Sequence, residues 1–186
     1  MATDNPASFV RFSGDVTLNG VPWEDPGAGE FQVYGKTARL LGDYATQLPA
    51  GYTLVVSAVV SVGWYGNTIW PGQLTLPGGT FTNDGTIELR DGKLYVDGDT
   101  TLAGSGAVLM TGSWWAQVRG GPGATLTVGP GQTIHGFGEI SVDVVNQGRI
   151  QADQSEESLT FSAGLTNLGT VGAVNGAWLW IDAALF

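Results

Sequence analysis

Few side chains in this sequence have the types or spacing to do chemistry, and most of them are carboxylates. His135, in TIHGFG, is the only histidine, so a Ser-His-Asp triad or a histidine-bearing metal site would depend on it alone. The surrounding glycines make it read as a solvated or hydrogen-bonded turn residue. Cysteine is absent, which removes disulfides, thiolate zinc sites and cysteine nucleophiles. Two acidic groups remain: Asp153, Glu156 and Glu157 in QADQSEESLT, and Asp91, Asp97 and Asp99 in RDGKLYVDGDT. Paired carboxylates cleave glycosidic bonds when they flank one bond. The plainer reading is solvated loops, with weak Ca²⁺ association as an intermediate one. GGPGAT (120–125) and VDGDTT (96–101) match neither the nonapeptide Ca²⁺ repeat nor an EF-hand loop. GSGAV and GFGEI lack the strand, glycine loop and helix order of a phosphate-binding fingerprint. The expectation is a non-enzyme with no cofactor, no resident metal and no catalytic residue.

Tryptophan is the other chemical asset, with seven copies. Trp114 and Trp115 are adjacent, so a strand would turn one in and one out, whereas Trp178 and Trp180 would share a face. Exposed indoles stack on sugar rings or meet protein partners; buried ones cap ends and fill corners. These four and the terminal Phe186 are the candidate interaction residues.

The elements that must position these residues are strands. Short alternating runs recur between Gly, Asn, Asp and Pro: FVRF, DVTL, TLVV, QLTL, TIEL, KLYV, TLTV, SLTF and AWLWI. Capped amphipathic helix patterns are missing, except that the second half of EFQVYGKTARLLGDYA (30–45) could form one helical turn. With 42% hydrophobic residues the chain can bury a core, and its 30 glycines follow no collagen period.

One phrase recurs: TNDGTIEL, VNQGRIQA and LTNLGTVGA each carry Asn-x-Gly-x followed by Ile or Val. Asn146 and Asn167 are 21 residues apart, and Asn83 precedes Asn146 by three such periods. The register at 104 reads GSGAV, with Gly104 where the others have Asn; both types tolerate a left-handed backbone. The register at 125 fails, and GFGEI (136–140) falls off the period. A second phrase (LYV, LTF, WLW) follows each Asn corner. Strands and corners at a period near 20 are the signature of a parallel β-solenoid, in which stacked rungs bury one continuous core. Asn83, Gly85, Gly104, Gly106, Asn146, Gly148, Asn167 and Gly169 are then structural corners, and stacked Asn side chains would form an amide ladder.

The text from GATLTVGPGQTIHGFGEI through VVNQGRIQAD to SLTFSAGLTNLGTVGAVNGAWLWID resembles the repeats of secreted bacterial β-helix proteins. These are autotransporter passengers and filamentous-haemagglutinin-like adhesins; the likeness covers about 76–182. The resemblance implies a right-handed helix, export and adhesion or scaffold work. It transfers no catalytic residue, because the matching positions are corners. Polysaccharide lyases, also β-helices, pair Ca²⁺-binding carboxylates with a base, a role open here to Arg90, Lys93 or Arg149.

The chain therefore reads as an all-β, single-stranded right-handed parallel β-helix of eight or nine rungs. It forms one domain over 1–186, with less regular rungs and loops at 1–75 and regular ones at 76–186. An excess of 17 acidic over 7 basic residues disfavours nucleic acid and anionic membranes. The longest apolar run (52–66) is too short and too broken to span a bilayer. MATDNPAS is not a signal peptide, so export implies that one was removed. The closing GAWLWIDAALF is an apolar strand without a polar cap. Three readings fit it: a piece of a longer solenoid, a fold-back cap, or an end that pairs with another copy. The function expected is an extracellular or cell-surface scaffold, adhesin segment or fibre subunit, its partners being itself, glycans or a host surface. The rival is a polysaccharide-binding or polysaccharide-cleaving β-helix module.

Overall fold

The computed structural model describes residues 72–112 and 116–182 in full and, before them, the backbone of eight strands between Phe9 and Trp70. The first strands are β1 (Phe9–Phe12), β2 (Val16–Asn19), β3 (Glu30–Tyr34), β4 (Thr37–Leu41), β5 (Gln47–Leu48) and β6 (Thr53–Ser57). β7 (Val59–Gly63) and β8 (Gly66–Trp70) pair antiparallel with each other. From there the chain winds in coils of three strands. They are β9 (Gln73–Leu76), β10 (Gly79–Asn83) and β11 (Thr86–Arg90); β12 (Lys93–Val96), β13 (Thr100–Ala103) and β14 (Ala107–Thr111); β15 (Gln117–Gly120), β16 (Thr125–Val128) and β17 (Thr133–Gly136). β18 (Gly138–Ser141), β19 (Asp143–Asn146) and β20 (Arg149–Ala152) follow, then β21 (Ser158–Phe161), β22 (Leu165–Asn167) and β23 (Thr170–Ala173), and β24 (Trp178–Ile181) opens one more coil.

Stacking these coils makes three parallel sheets. Face A runs β1-β3-β6-β11-β14-β17-β20-β23, face B runs β2-β4-β9-β12-β15-β18-β21-β24, and face C runs β5-β10-β13-β16-β19-β22. The fold is a β-solenoid, its fully described part making about five turns, with coils roughly 21 residues apart and no helix among the described residues.

Alternation builds the core. Every second residue of a strand points inward, and the inward residues stack in columns along the axis. One face-B column runs Leu74, Leu94, Val118, Ile140, Phe161, Ile181. A face-A column runs Ile87, Val108, Ile134, Ile150, Val171. All but the last member of each column are fully buried. A buried aliphatic side chain contributes roughly 1.5–3 kcal/mol, so the columns are the main source of cohesion.

One expectation needs correction, and two irregularities of the winding have structural causes. The segment read as capable of a helical turn is strand over 37–41, its residues 42–45 lying outside the described residues: β3 pairs with β1 and β6, and β4 with β2 and β9. Parallel pairing on both sides outweighs a weak local helix preference. Faces A and B each carry eight strands, in line with the eight or nine rungs expected, although not every residue lies in a coil. The β7–β8 hairpin leaves the winding, and Thr53 of β6 pairs directly with Thr86 of β11. The failed register at 125 has a similar cause. Ala107 pairs with Thr133, a step of 26 residues, and Thr133 pairs with Arg149, a step of 16. One long coil is followed by a short one, and the period then resumes. GFGEI, off the period, is the corner from face A to face B between β17 and β18.

Candidate functional site

The Asn-x-Gly phrases turn the chain from face C to face A. Asn83 and Asn146 are fully buried. Asn146 Oδ1 accepts the Gly148 N–H (3.1 Å), closing the corner, while Nδ2 donates to Asn167 Oδ1 (2.7 Å) and to the Thr170 carbonyl (3.1 Å) one coil on. In the coil at 129–132, which has no Asn, Gln132 takes this role. It donates to the carbonyls of Asn83 (2.6 Å) and Ala103 (2.9 Å) and accepts from Asn83 Nδ2 (3.0 Å). The corner asparagines do not have left-handed backbones; only Gly104 does, at φ 92°. Asn is used for its amide, and glycine at 106, 148 and 169 for close approach: a Cβ there would strike the neighbouring coil's carbonyls.

Carboxylates also staple coils together. Asp84 Oδ1 accepts the Ser105 N–H (2.9 Å), Asp99 Oδ1 that of Thr125 (3.0 Å) and Asp143 Oδ1 that of Gly164 (2.8 Å). Neither acidic group of the sequence converges on one spot. Asp91 lies at a corner from A to B, whereas Asp97 and Asp99 lie at a corner from B to C. Asp153 leaves its group to meet His135, whose Nδ1 lies 2.8 Å from Asp153 Oδ2. His135 stands in strand β17, not in a turn, and is half-buried on the outside of face A. Arg90, a candidate base, is held by Glu88 through two 2.9 Å hydrogen bonds. Among the described residues no group of three His, Asp or Glu is placed to hold a metal ion.

The richest surface is the outside of face B. Its outward columns follow from the register: Lys93, Gln117, Glu139, Thr160, Trp180 in one, and Tyr95, Arg119, Ser141 in the next. Glu139 gathers three partners. Its carboxylate accepts from Ser162 Oγ (2.7 Å) and Gln117 Nε2 (3.1 Å), and the Arg119 guanidinium lies 3.7 Å away. Burial lowers the pKa of Lys93 below its ordinary value, and the Arg119 charge adds to the effect. Phe137, Glu139, Glu157, Ser158 and Thr160 line a half-open cavity of about 220 Å³. Trp178 and Trp180 stand one strand on, 55% and 56% exposed. They are paired in register with the lining residues Ser158 and Thr160.

The interaction residues Trp114, Trp115 and Phe186 lie outside the described residues. Sequence reading missed Glu139, Phe137 and Gln132. Glu139 and Phe137 become neighbours of the tryptophans only through register, but Gln132 carried a signal, since an amide stood near the failed corner. The chain matches no protein-family model, no curated protein and no solved structure.

Proposed function

We propose that the protein is a structural β-solenoid of the cell surface or extracellular space, a scaffold or adhesin segment whose end coils pair with further copies. The likeness of its repeat text to secreted bacterial adhesins supports the location and role. One observation carries the assembly reading: the last described coil leaves apolar core columns uncovered. Val171, Leu179 and Ile181 are only partly buried, whereas Ile150, Leu159 and Phe161 beneath them are fully buried. No further strand pairs with β22, β23 or β24 among the described residues. Such an edge offers unpaired N–H and C=O groups and an apolar stripe in register with them. Its complement is another solenoid end, and a head-to-tail contact that does not close makes a filament. The reading assigns no reaction to the chain.

Negative-stain electron microscopy across a concentration series, with light scattering alongside, tests it. Fibres one solenoid wide are expected, and they should shorten or vanish in a Thr166→Lys/Thr170→Lys variant that charges the end coil. A monomer at every concentration would sink the assembly reading.

A further inference from the structure

We propose that the outside of face B, beside β24, is a carbohydrate-binding subsite for a short run of neutral sugar rings lying along the solenoid axis. It is separate from end-to-end pairing: pairing uses backbone groups at the sheet edge, and this site uses side chains on the sheet face.

Three observations carry the inference. First, Ser158 and Trp178 pair on successive strands, and the corner residue Phe137 stands one strand earlier, just before Gly138, which pairs with Leu159. Two inter-strand steps separate the two aromatic residues by about 9.6 Å, a span on the scale of two linked sugar rings. Second, polar groups rim the aromatic platform. Glu139, Glu157, Ser158 and Thr160 line the cavity with Phe137, and Ser158 and Thr160 pair in register with Trp178 and Trp180. Glu139 is held in place by Gln117, Ser162 and Arg119, so it presents its carboxylate at little entropic cost. Third, both indoles are more than half exposed on one face of β24, a costly arrangement for water but a ready stacking platform.

A pyranose has an apolar C–H face and an equatorial rim of hydroxyls. The first matches indole and phenyl rings; the second matches carboxylate and hydroxyl acceptors, the usual division of labour in a ligand site. The net charge of −10 and the two lining glutamates exclude polyanionic glycans in favour of neutral ones.

Calorimetry and tryptophan fluorescence with cellohexaose, xylohexaose, mannohexaose and chitohexaose test the site, with polygalacturonate as the anionic comparison. At least one neutral hexaose is expected to bind, and polygalacturonate at least tenfold more weakly. Trp178→Ala and Glu157→Gln should each weaken binding about tenfold, while Trp180→Phe, which keeps a ring, should bind nearly as the parent does. Far-UV circular dichroism confirms that each variant folds. Failure of all four hexaoses to bind at millimolar concentration overturns the proposal, as does equal binding by Trp178→Ala. Light scattering on the same samples separates the two ideas. Glycan binding by a persistent monomer keeps this site and removes filament assembly. Scattering that falls in Trp178→Ala, with no hexaose bound, gives the tryptophans to a second copy and overturns the site.

Discussion

Replacing Gln132 with alanine should cost the solenoid about 3 kcal/mol, because three hydrogen bonds, two buried and one partly buried, of about 1 kcal/mol each disappear together. Gln132 is 1% exposed, and its amide joins coils that are 29 and 49 residues apart in sequence. Two partners keep another bond: the Asn83 carbonyl still accepts from the Gly106 N–H, and Asn83 Nδ2 still donates to the Ala107 carbonyl. The loss therefore stays near the sum of net bond strengths, below the larger penalty for stranding every group. Gln132→Glu should cost more, since a carboxylate cannot donate to the Asn83 and Ala103 carbonyls and would bury a charge against them. Gln147, the exposed glutamine of the next corner, is the control: Gln147→Ala should change stability by less than about 0.5 kcal/mol. Urea unfolding followed by fluorescence and far-UV circular dichroism reads all three, provided the two transitions coincide. If Gln132→Ala matches Gln147→Ala, the amide does not substitute for the missing asparagine and the corner argument fails.

Gly136→Ala should lose about 3 kcal/mol or fail to fold, because its φ is 112° and a Cβ would strike the Met110 carbonyl. Gly172→Ala, with nothing within 4 Å, should be neutral or slightly stabilising in the same denaturation assay. The folded-state pKa of Lys93 lies below 10.5, through burial and then the Arg119 charge. Between that lowered value and 10.5 the unfolded chain binds more protons, so this residue makes stability rise with pH in that window. An NMR titration of the Lys93 ammonium should show the lowered midpoint, partly restored by Arg119→Gln; an unchanged midpoint would remove Arg119 as a cause. Trp178→Ala and Trp180→Ala should each cost about 1 kcal/mol or less in stability, because roughly half of each indole already faces water. A larger loss on thermal unfolding would make them structural.

The strand runs, the Asn corners and the spacing of 21 were legible in the sequence because each coil repeats the same local problem. An inward apolar residue must sit above its predecessor, and an amide must close the same turn. Asn146 and Asn167 satisfy both conditions one period apart and bond to each other across it. The period was lost where a long coil precedes a short one, since spacing along the chain no longer equals spacing along the axis. Gln132 restores the corner there from a position no fixed period points to. The helical reading of residues after Gly35 failed for a related reason: local preference is weak, and β4 gains partners on both sides only when the coils stack.

The candidate site belongs almost wholly to tertiary structure. Sequence alone placed Trp178 and Trp180 on one face of a strand, because side chains alternate with a period of two. It also set the expectation against phosphate-rich partners, because charge is additive whatever the fold. Only the stacking of coils gathered Phe137, Glu139 and Glu157 around one cavity, whose Ser158 and Thr160 pair with those indoles, and drew Asp153 away from Glu157 to His135. Register between neighbouring strands decides which side chains meet, and it is settled by how each coil's core residues nest on the coil beneath, a relation that distance along the chain does not carry.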